Sequence, residues 1–195
     1  MPAYNIDFEL MGMGIVAVII LYFQLNYTMG SLKNKRFLHL CYSILTAQFF
    51  DILTAYTFTY ASYVPAWINH TLDTLYFVAT AFASAGFLAY ILTYIFEDGR
   101  REKREDRVKA AYALYGIVLF MNYFTGHIFS FDRETGAYVH GPLYLIVYII
   151  PAISVLYTLF LIIRHAGSFT KRQIGSAFFF VFTILLGTLL QSIFF

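Results

Sequence analysis

Acidic side chains interrupt the apolar segments of this 195-residue chain at two positions. Asp51 lies in "FFDILTAYT" and Asp73 lies in "WINHTLDTLYF". A charge near the centre of a bilayer costs about 2.5–3.5 kcal/mol on insertion scales, so such residues are functional candidates. Their carboxylates suit the orientation of a polar ligand, the relay of a proton or the binding of a cation.

Helical spacing groups further polar residues with these two carboxylates, because residues three, four and seven apart share one face of a helix. Asn69, Asp73 and Tyr76 form one such stripe, and Gln48 and Asp51 form another. We expect a pocket that opens to the outside between the second, third, fourth and sixth apolar segments. The alternative is that these groups hydrogen-bond one another as structural links between helices. The predicted ligand-binding residues are Gln48, Asp51, Asn69, His70, Asp73, Tyr76, Asn122 and Gln191.

Other site chemistries have little support in the sequence. His70 and Asp73 are three residues apart, and His127 and His140 flank a loop, but no pattern as specific as HxxxH appears, so we predict no metal site. The chain contains no GxSxG, no HExxH and no phosphate-binding glycine loop. Every lysine lies in or beside a basic loop, which excludes a retinal Schiff base within the membrane. We therefore predict no catalytic residue and no cofactor.

The composition is that of a membrane protein. Hydrophobic residues make up 60% of the chain, and charged residues make up 12%, about half of ordinary usage. Nucleic-acid binding has no support in this balance. A single cysteine, Cys41, excludes an intrachain disulfide and a zinc site of several cysteines.

Six segments are long and apolar enough to cross a bilayer, which needs about 20 residues. They predict a single all-α domain over residues 1–195, a polytopic transmembrane helix bundle whose spans are 9–29, 37–60, 66–96, 108–128, 141–164 and 173–195. The first, third and fifth loops hold every lysine and arginine except Arg133. By the positive-inside rule, the N-terminus lies outside, and six crossings return the C-terminus to the outer face. No basic region precedes the first span, so we interpret it as a retained span rather than a signal peptide.

The segment "IFSFDRETGAYVHG" predicts a short β-hairpin before the fifth span. Phe129, Phe131 and Tyr138 flank its polar turn. These rings would either form a lid over a ligand or rest at the membrane interface as part of an aromatic belt.

Four segments together resemble the N-terminal membrane-sensing modules of bacterial GGDEF-type diguanylate cyclases and of some Gram-positive histidine kinases. The segments are "NKRFLHL", "FFDILTAYT", "VPAWINHTLDTLYF" and "TGHIFSFDRETGAYVHGPLY". The resemblance implies seven helices, an outside N-terminus, a bacterial cytoplasmic membrane and a C-terminal cytoplasmic output domain. Such modules are often dimeric, which implies a homodimer. We expect this chain to stop before the seventh helix and the output domain.

The sequence therefore predicts a sensory input module whose partners are the lipid bilayer, a small ligand of unknown identity and an output domain outside this chain. Asp51, Asp73 and Asn69 would orient the ligand, while Tyr76 and Phe131 would supply contact surface. A transporter of small solutes or ions that uses the same carboxylates is the alternative. A third interpretation is an anchor without a sensing role.

Overall fold

The computed structural model describes residues 6–27, 30–61, 63–96, 98–132 and 137–194, except the side chains of Phe8 and of residues 183–194. One helix, α3, lies at the centre and packs against α2, α4, α5 and strand β1. The predicted all-α class is confirmed. The elements are α1 (Asp7–Asn26), α2 (Leu32–Thr59), α3 (Ala66–Ile95), α4 (Asp98–Thr125), β1 (Phe129–Phe131), β2 (Tyr138–His140), α5 (Ile146–Arg164), a 3-10 turn (Ala166–Ser168) and α6 (Lys171–Phe194).

Local sequence sets where these helices begin. The Ser31 hydroxyl accepts a hydrogen bond from the Asn34 backbone N–H at 3.1 Å, so α2 begins at Leu32, earlier than the predicted span. Pro65 precedes the first residue of α3, a position where its fixed φ and missing N–H cost the helix nothing. α4 begins at Asp98 because the mixed-charge segment before the fourth apolar run is helical.

Four helices are long and apolar enough to cross a membrane. α4 lacks such a stretch because its first half is charged and only its second half is apolar. This count applies to the described residues alone, and the predicted spans 108–128 and 173–195 stay predictions. The four stretches are Glu9–Asn26, Leu32–Thr59, Ala66–Ile95 and Ile146–Arg164.

An ion pair joins α2 and α4 at the basic end of the bundle, and further pairs lie within α4. Arg36 of α2 pairs with Glu105 of α4. Arg101 pairs with Asp98 at 2.6 Å and with Glu105 at 3.5 Å. Only 5% of Glu105 and 9% of Arg101 is exposed. Removal of Arg36 or Arg101 would leave the buried Glu105 carboxylate with less compensation, and an uncompensated buried charge typically costs about 3–5 kcal/mol.

The predicted β-hairpin is present and packs against the opposite end of the bundle. Its strands are antiparallel, with Phe129 opposite His140 and Phe131 opposite Tyr138. Gly126 ends α4 with a φ of 63°, a left-handed conformation that glycine adopts without a steric penalty.

An apolar core holds the hairpin on the bundle. Phe129 and Leu119 are fully buried, at 0% exposure, in a cluster that joins α3, α4, β1 and α5. A second cluster joins α2, α3, α5 and α6 nearer the basic end and contains Leu40, Phe87, Ile91, Ile162, Ala177 and Val181. The hairpin is thus part of the folded core.

The Gly141→Ala substitution should loosen the end of the hairpin. An added Cβ would collide with the backbone carbonyl of His127, which cannot move without breaking its hydrogen bond from the Leu143 N–H at 2.9 Å. Overpacking of this kind costs about 1–3 kcal/mol. We expect a lower thermal unfolding temperature in detergent micelles.

The matched control is Gly116→Ala, because a Cβ on Gly116 meets no atom within 4 Å. Alanine in that helical position should leave stability unchanged or raise it. Equal unfolding temperatures for the two variants would contradict the tight packing at Gly141.

Candidate functional site

Polar residues from three helices and the hairpin meet on the hairpin side of the bundle. We call this group the polar cluster, and it comprises Glu9, Asp51, Asn69, Asp73, Tyr76 and Tyr138. Within it, the Asp51 carboxyl interacts electrostatically with Glu9 and with Asp73. The Tyr76 side chain is close to both aspartates and makes a hydrogen-bonding contact with Thr80. Three acidic groups from α1, α2 and α3 thus share one electrostatic environment.

The hairpin supplies a tyrosine that covers Asp73. The Tyr138 hydroxyl interacts with the Asp73 carboxyl, although neither Tyr138 Oη nor Asp73 Oδ2 has a partner at full hydrogen-bond geometry among the described residues. Burial and the nearby Asp73 carboxylate raise the pKa of Tyr138 above its usual value. The hydroxyl therefore stays protonated and remains a donor.

Aromatic packing fixes the position of this tyrosine. Its ring stacks on Phe129 with centroids 5.7 Å apart and contacts Phe58 of α2 at 5.5 Å. Phe131 lies across from Phe58 at 5.4 Å. The hairpin rings therefore rest on α2 and α3 and cover the polar cluster.

Several buried polar atoms of α2 and α3 have no hydrogen-bond partner in the described part of the chain. Asn69 is 0% exposed, and neither its Nδ2 nor its Oδ1 has a partner. The Thr54 hydroxyl and Gln48 Oε1 are also buried without partners there. Most buried polar groups in proteins are hydrogen-bonded, since an unpaired group costs about 1–3 kcal/mol. The cluster therefore has donors and acceptors to offer a polar ligand.

Asn122 serves the hairpin rather than the polar cluster. Its Oδ1 accepts a hydrogen bond from the Ile128 N–H at 2.7 Å, and its Nδ2 donates to the Phe129 carbonyl at 2.9 Å. These bonds satisfy the backbone where the chain leaves α4 and enters β1. The described contacts of Asn122 match the alternative of a structural link.

His70 lies beside the polar cluster, between the hairpin and α4. Its ring centroid is 4.8 Å from that of Phe129 and 4.9 Å from that of Tyr123, and its Nε2 is 3.4 Å from Asn122 Nδ2. Within the described residues, no three His, Cys, Asp or Glu side chains gather closely enough to hold a metal ion.

The helices around the site differ from the predicted set. Electrostatic interactions link Asp73 of α3 to Asp51 of α2, Tyr148 of α5 and Tyr138 of the hairpin, and α1 adjoins Asp51 through Glu9. The sequence predicted the second, third, fourth and sixth spans. Gln48 faces α1, where an added Cβ on Gly12 would collide with its side chain. The side chain of Gln191 lies outside the described residues. Gln48, Asp51, Asn69, Asp73 and Tyr76 are the predicted residues that face this region.

Sequence reasoning missed Glu9, Thr54 and Tyr138. Glu9 stands at the predicted start of the first span, so its depth matches that of the other acidic groups, and this signal was available. Tyr138 could be assigned only from the hairpin register, which pairs it with Phe131 and turns it toward α2 and α3. Periodicity along one helix carries no such information.

Comparisons with known proteins give no relative for this chain. No family model matches it, and no curated protein or solved structure matches it either.

The Asn122→Ala substitution should release the start of the hairpin. It would leave the buried Ile128 N–H and Phe129 carbonyl unpaired, at about 1–3 kcal/mol for each group. We expect faster hydrogen–deuterium exchange in a peptide that covers residues 126–141, measured in lipid nanodiscs. Thr125→Ala is the control, because the exposed Thr125 hydroxyl bonds only its own helix, at the Met121 carbonyl. Unchanged exchange in Asn122→Ala would show that these bonds do not hold the hairpin.

Proposed function

We propose that this chain is a membrane-embedded sensory input module that binds a small polar ligand in the polar cluster beneath the hairpin. The observation that carries the proposal is the burial of Asn69 and Asp73, with unpaired polar atoms, under a hairpin that also touches α2. A site of this form can couple ligand binding to the position of a covering element. The resemblance to N-terminal sensor modules of diguanylate cyclases and histidine kinases supports the same function.

The proposed topology has six spans, an outside N-terminus and a bacterial cytoplasmic membrane. Its support is the uneven distribution of charge. The basic end carries twelve Lys and Arg against five Asp and Glu, whereas the rest of the chain carries six Asp and Glu against Arg133 alone. The positive-inside rule assigns the basic end to the cytoplasm and the hairpin to the outside.

The ligand class follows from the charge of the site. Carboxyls from three helices lie together, and no lysine or arginine of the described residues contributes to the cluster. A ligand with a protonated amine would pair with Asp51 or Asp73, while Asn69 and the Tyr138 hydroxyl would hydrogen-bond its polar groups. We therefore propose a small cationic ligand, received from the outer face.

Signalling requires that the ligand bind two arrangements of the module with different affinity. We propose that the hairpin is the element that moves, and its support is that Tyr138 and Asp73 interact without a hydrogen bond of full geometry. A ligand seated between them would strengthen or replace this interaction and shift β2 against α2 and α3. An output domain carried beyond this chain would respond to the change in helix packing.

Cysteine labelling tests the topology. In a Cys41→Ser background, which has no cysteine, single cysteines replace Tyr63, Lys103 or Ser168, all exposed residues. We expect a membrane-impermeant maleimide to label position 63 in intact cells and positions 103 and 168 only after permeabilisation. Labelling of position 103 from outside would contradict the proposed orientation.

Thermal stabilisation by amines tests the ligand class. A ligand that binds only the folded state adds about 2.7 kcal/mol at 100 times its Kd. From a panel of ethylamine, ethanolamine and 1,4-diaminobutane, with ethanol as the neutral control, we expect at least one amine to raise the unfolding temperature. The isosteric Asp73→Asn variant should lose this effect.

Asp106→Asn is the matched control, since it removes an exposed carboxylate at the opposite end of the bundle. It should respond to amines as the unsubstituted protein does. Stabilisation that is equal in Asp73→Asn and Asp106→Asn would mean that the amines bind elsewhere, and the absence of any amine effect would contradict a cationic ligand.

The second candidate function is transport of a cation or a protonated solute. The electrostatic interaction of Asp51 with both Glu9 and Asp73 favours it, because such a series of carboxyls is also suited to ion relay. Flux of the stabilising amine into proteoliposomes, lost in Asp51→Asn, would establish transport. Amine binding without flux would favour the sensor over the transporter.

A further inference from the structure

A groove runs along α2 and α3 on the membrane-facing surface, away from the polar cluster. It consists of two connected cavities of about 400 and 420 Å³ that share His39, Ser43 and Phe82 as lining residues. Phe82 is 58% exposed, so the groove opens at the surface of the bundle. It extends from Arg36 to Phe50 along α2, which corresponds to about 21 Å at 1.5 Å per residue.

The groove has a charged end and an apolar body. Arg36, His39 and Lys109 line the charged end together with Glu105. Glu105 pairs with Arg36, whereas Lys109 pairs with the exposed Asp106 at 2.8 Å, a surface pair that a phosphate can displace. Along the body, Ala85 and Ala89 leave room between α2 and α4. Because one leaflet of the hydrocarbon core is about 15 Å thick, the apolar body can receive an acyl chain while the charged end stays at headgroup depth.

We propose that this groove binds one anionic phospholipid of the leaflet at the basic end of the bundle. Its phosphate would lie against Lys109 and Arg36, and one acyl chain would lie between α2 and α3. Charge complementarity selects this occupant, because the basic end carries twelve Lys and Arg against five Asp and Glu. Basic pockets between transmembrane helices on the cytoplasmic side recognise anionic headgroups in this way.

Quenching by brominated lipids tests the proposal. Trp67→Phe removes the only tryptophan, and Phe82→Trp places a reporter in the groove. The full chain is reconstituted in phosphatidylcholine vesicles with a minor fraction of phosphatidylglycerol. In one sample the phosphatidylglycerol is brominated, and in the other an equal fraction of the phosphatidylcholine is brominated. We expect brominated phosphatidylglycerol to quench the fluorescence of the reporter more strongly than brominated phosphatidylcholine does.

Two substitutions locate the effect. Lys109→Gln should reduce the enrichment of the anionic lipid over phosphatidylcholine in the groove about five-fold. The reason is that each basic residue near the surface contributes about 1 kcal/mol to the binding of anionic lipid. Lys103→Gln, an exposed base outside the groove, should have a much smaller effect. Ala85→Leu fills the groove without changing charge and should abolish the enrichment, whereas Ala111→Leu, on the exposed surface of α4, should preserve it.

Three results would overturn the proposal. The first is equal quenching by the two brominated lipids. The second is equal loss of enrichment in Lys109→Gln and Lys103→Gln, which would indicate a diffuse attraction to the basic end. The third is a dimer that protects the Phe82→Trp reporter from both lipids and dissociates in Ala85→Leu, which would show that a second copy occupies the groove.

Discussion

The burial of Asp73 within an otherwise apolar helix is the constraint on which the hairpin end of this structure depends. Burial removes water from a carboxyl, so protein groups must take the place of that water. The hairpin does so with Tyr138, and the hairpin in turn requires Gly126 to end α4, Asn122 to bond the entering backbone and Phe129 to fill the core.

The opposite end of the bundle satisfies its charges in another way. There, Arg36 and Arg101 pair with Glu105, and the other bases are exposed except Arg104, which is half-buried. Among the described residues of the hairpin end, no lysine or arginine pairs with these acidic groups, which supports the proposed cationic ligand. This difference between the two ends supports the proposed ligand site in the polar cluster and the proposed lipid site in the groove.

The sequence predicted the all-α class, the hairpin and the importance of Asp51, Asn69 and Asp73, because helical and strand periodicity are local properties. It could not predict which helices meet around Asp73. Glu9 enters the polar cluster because Gly12 lets α1 approach Gln48 on α2, and this approach depends on packing between helices. Asn122 is a polar residue of the type found in binding sites, but its bonds to Ile128 and Phe129 depend on the position of the hairpin, which the sequence alone does not give.

A double-mutant cycle between Asp73 and Tyr138 tests most directly whether the hairpin covers the carboxyl. The unfolding free energies of Asp73→Asn, Tyr138→Phe and the double variant are compared with that of the unsubstituted protein in the same micelles. Residues in contact within one polar network should show a coupling energy of about 0.5–3 kcal/mol. Additive effects, with no coupling, would contradict the contact between the hairpin and Asp73, and with it the proposed ligand site.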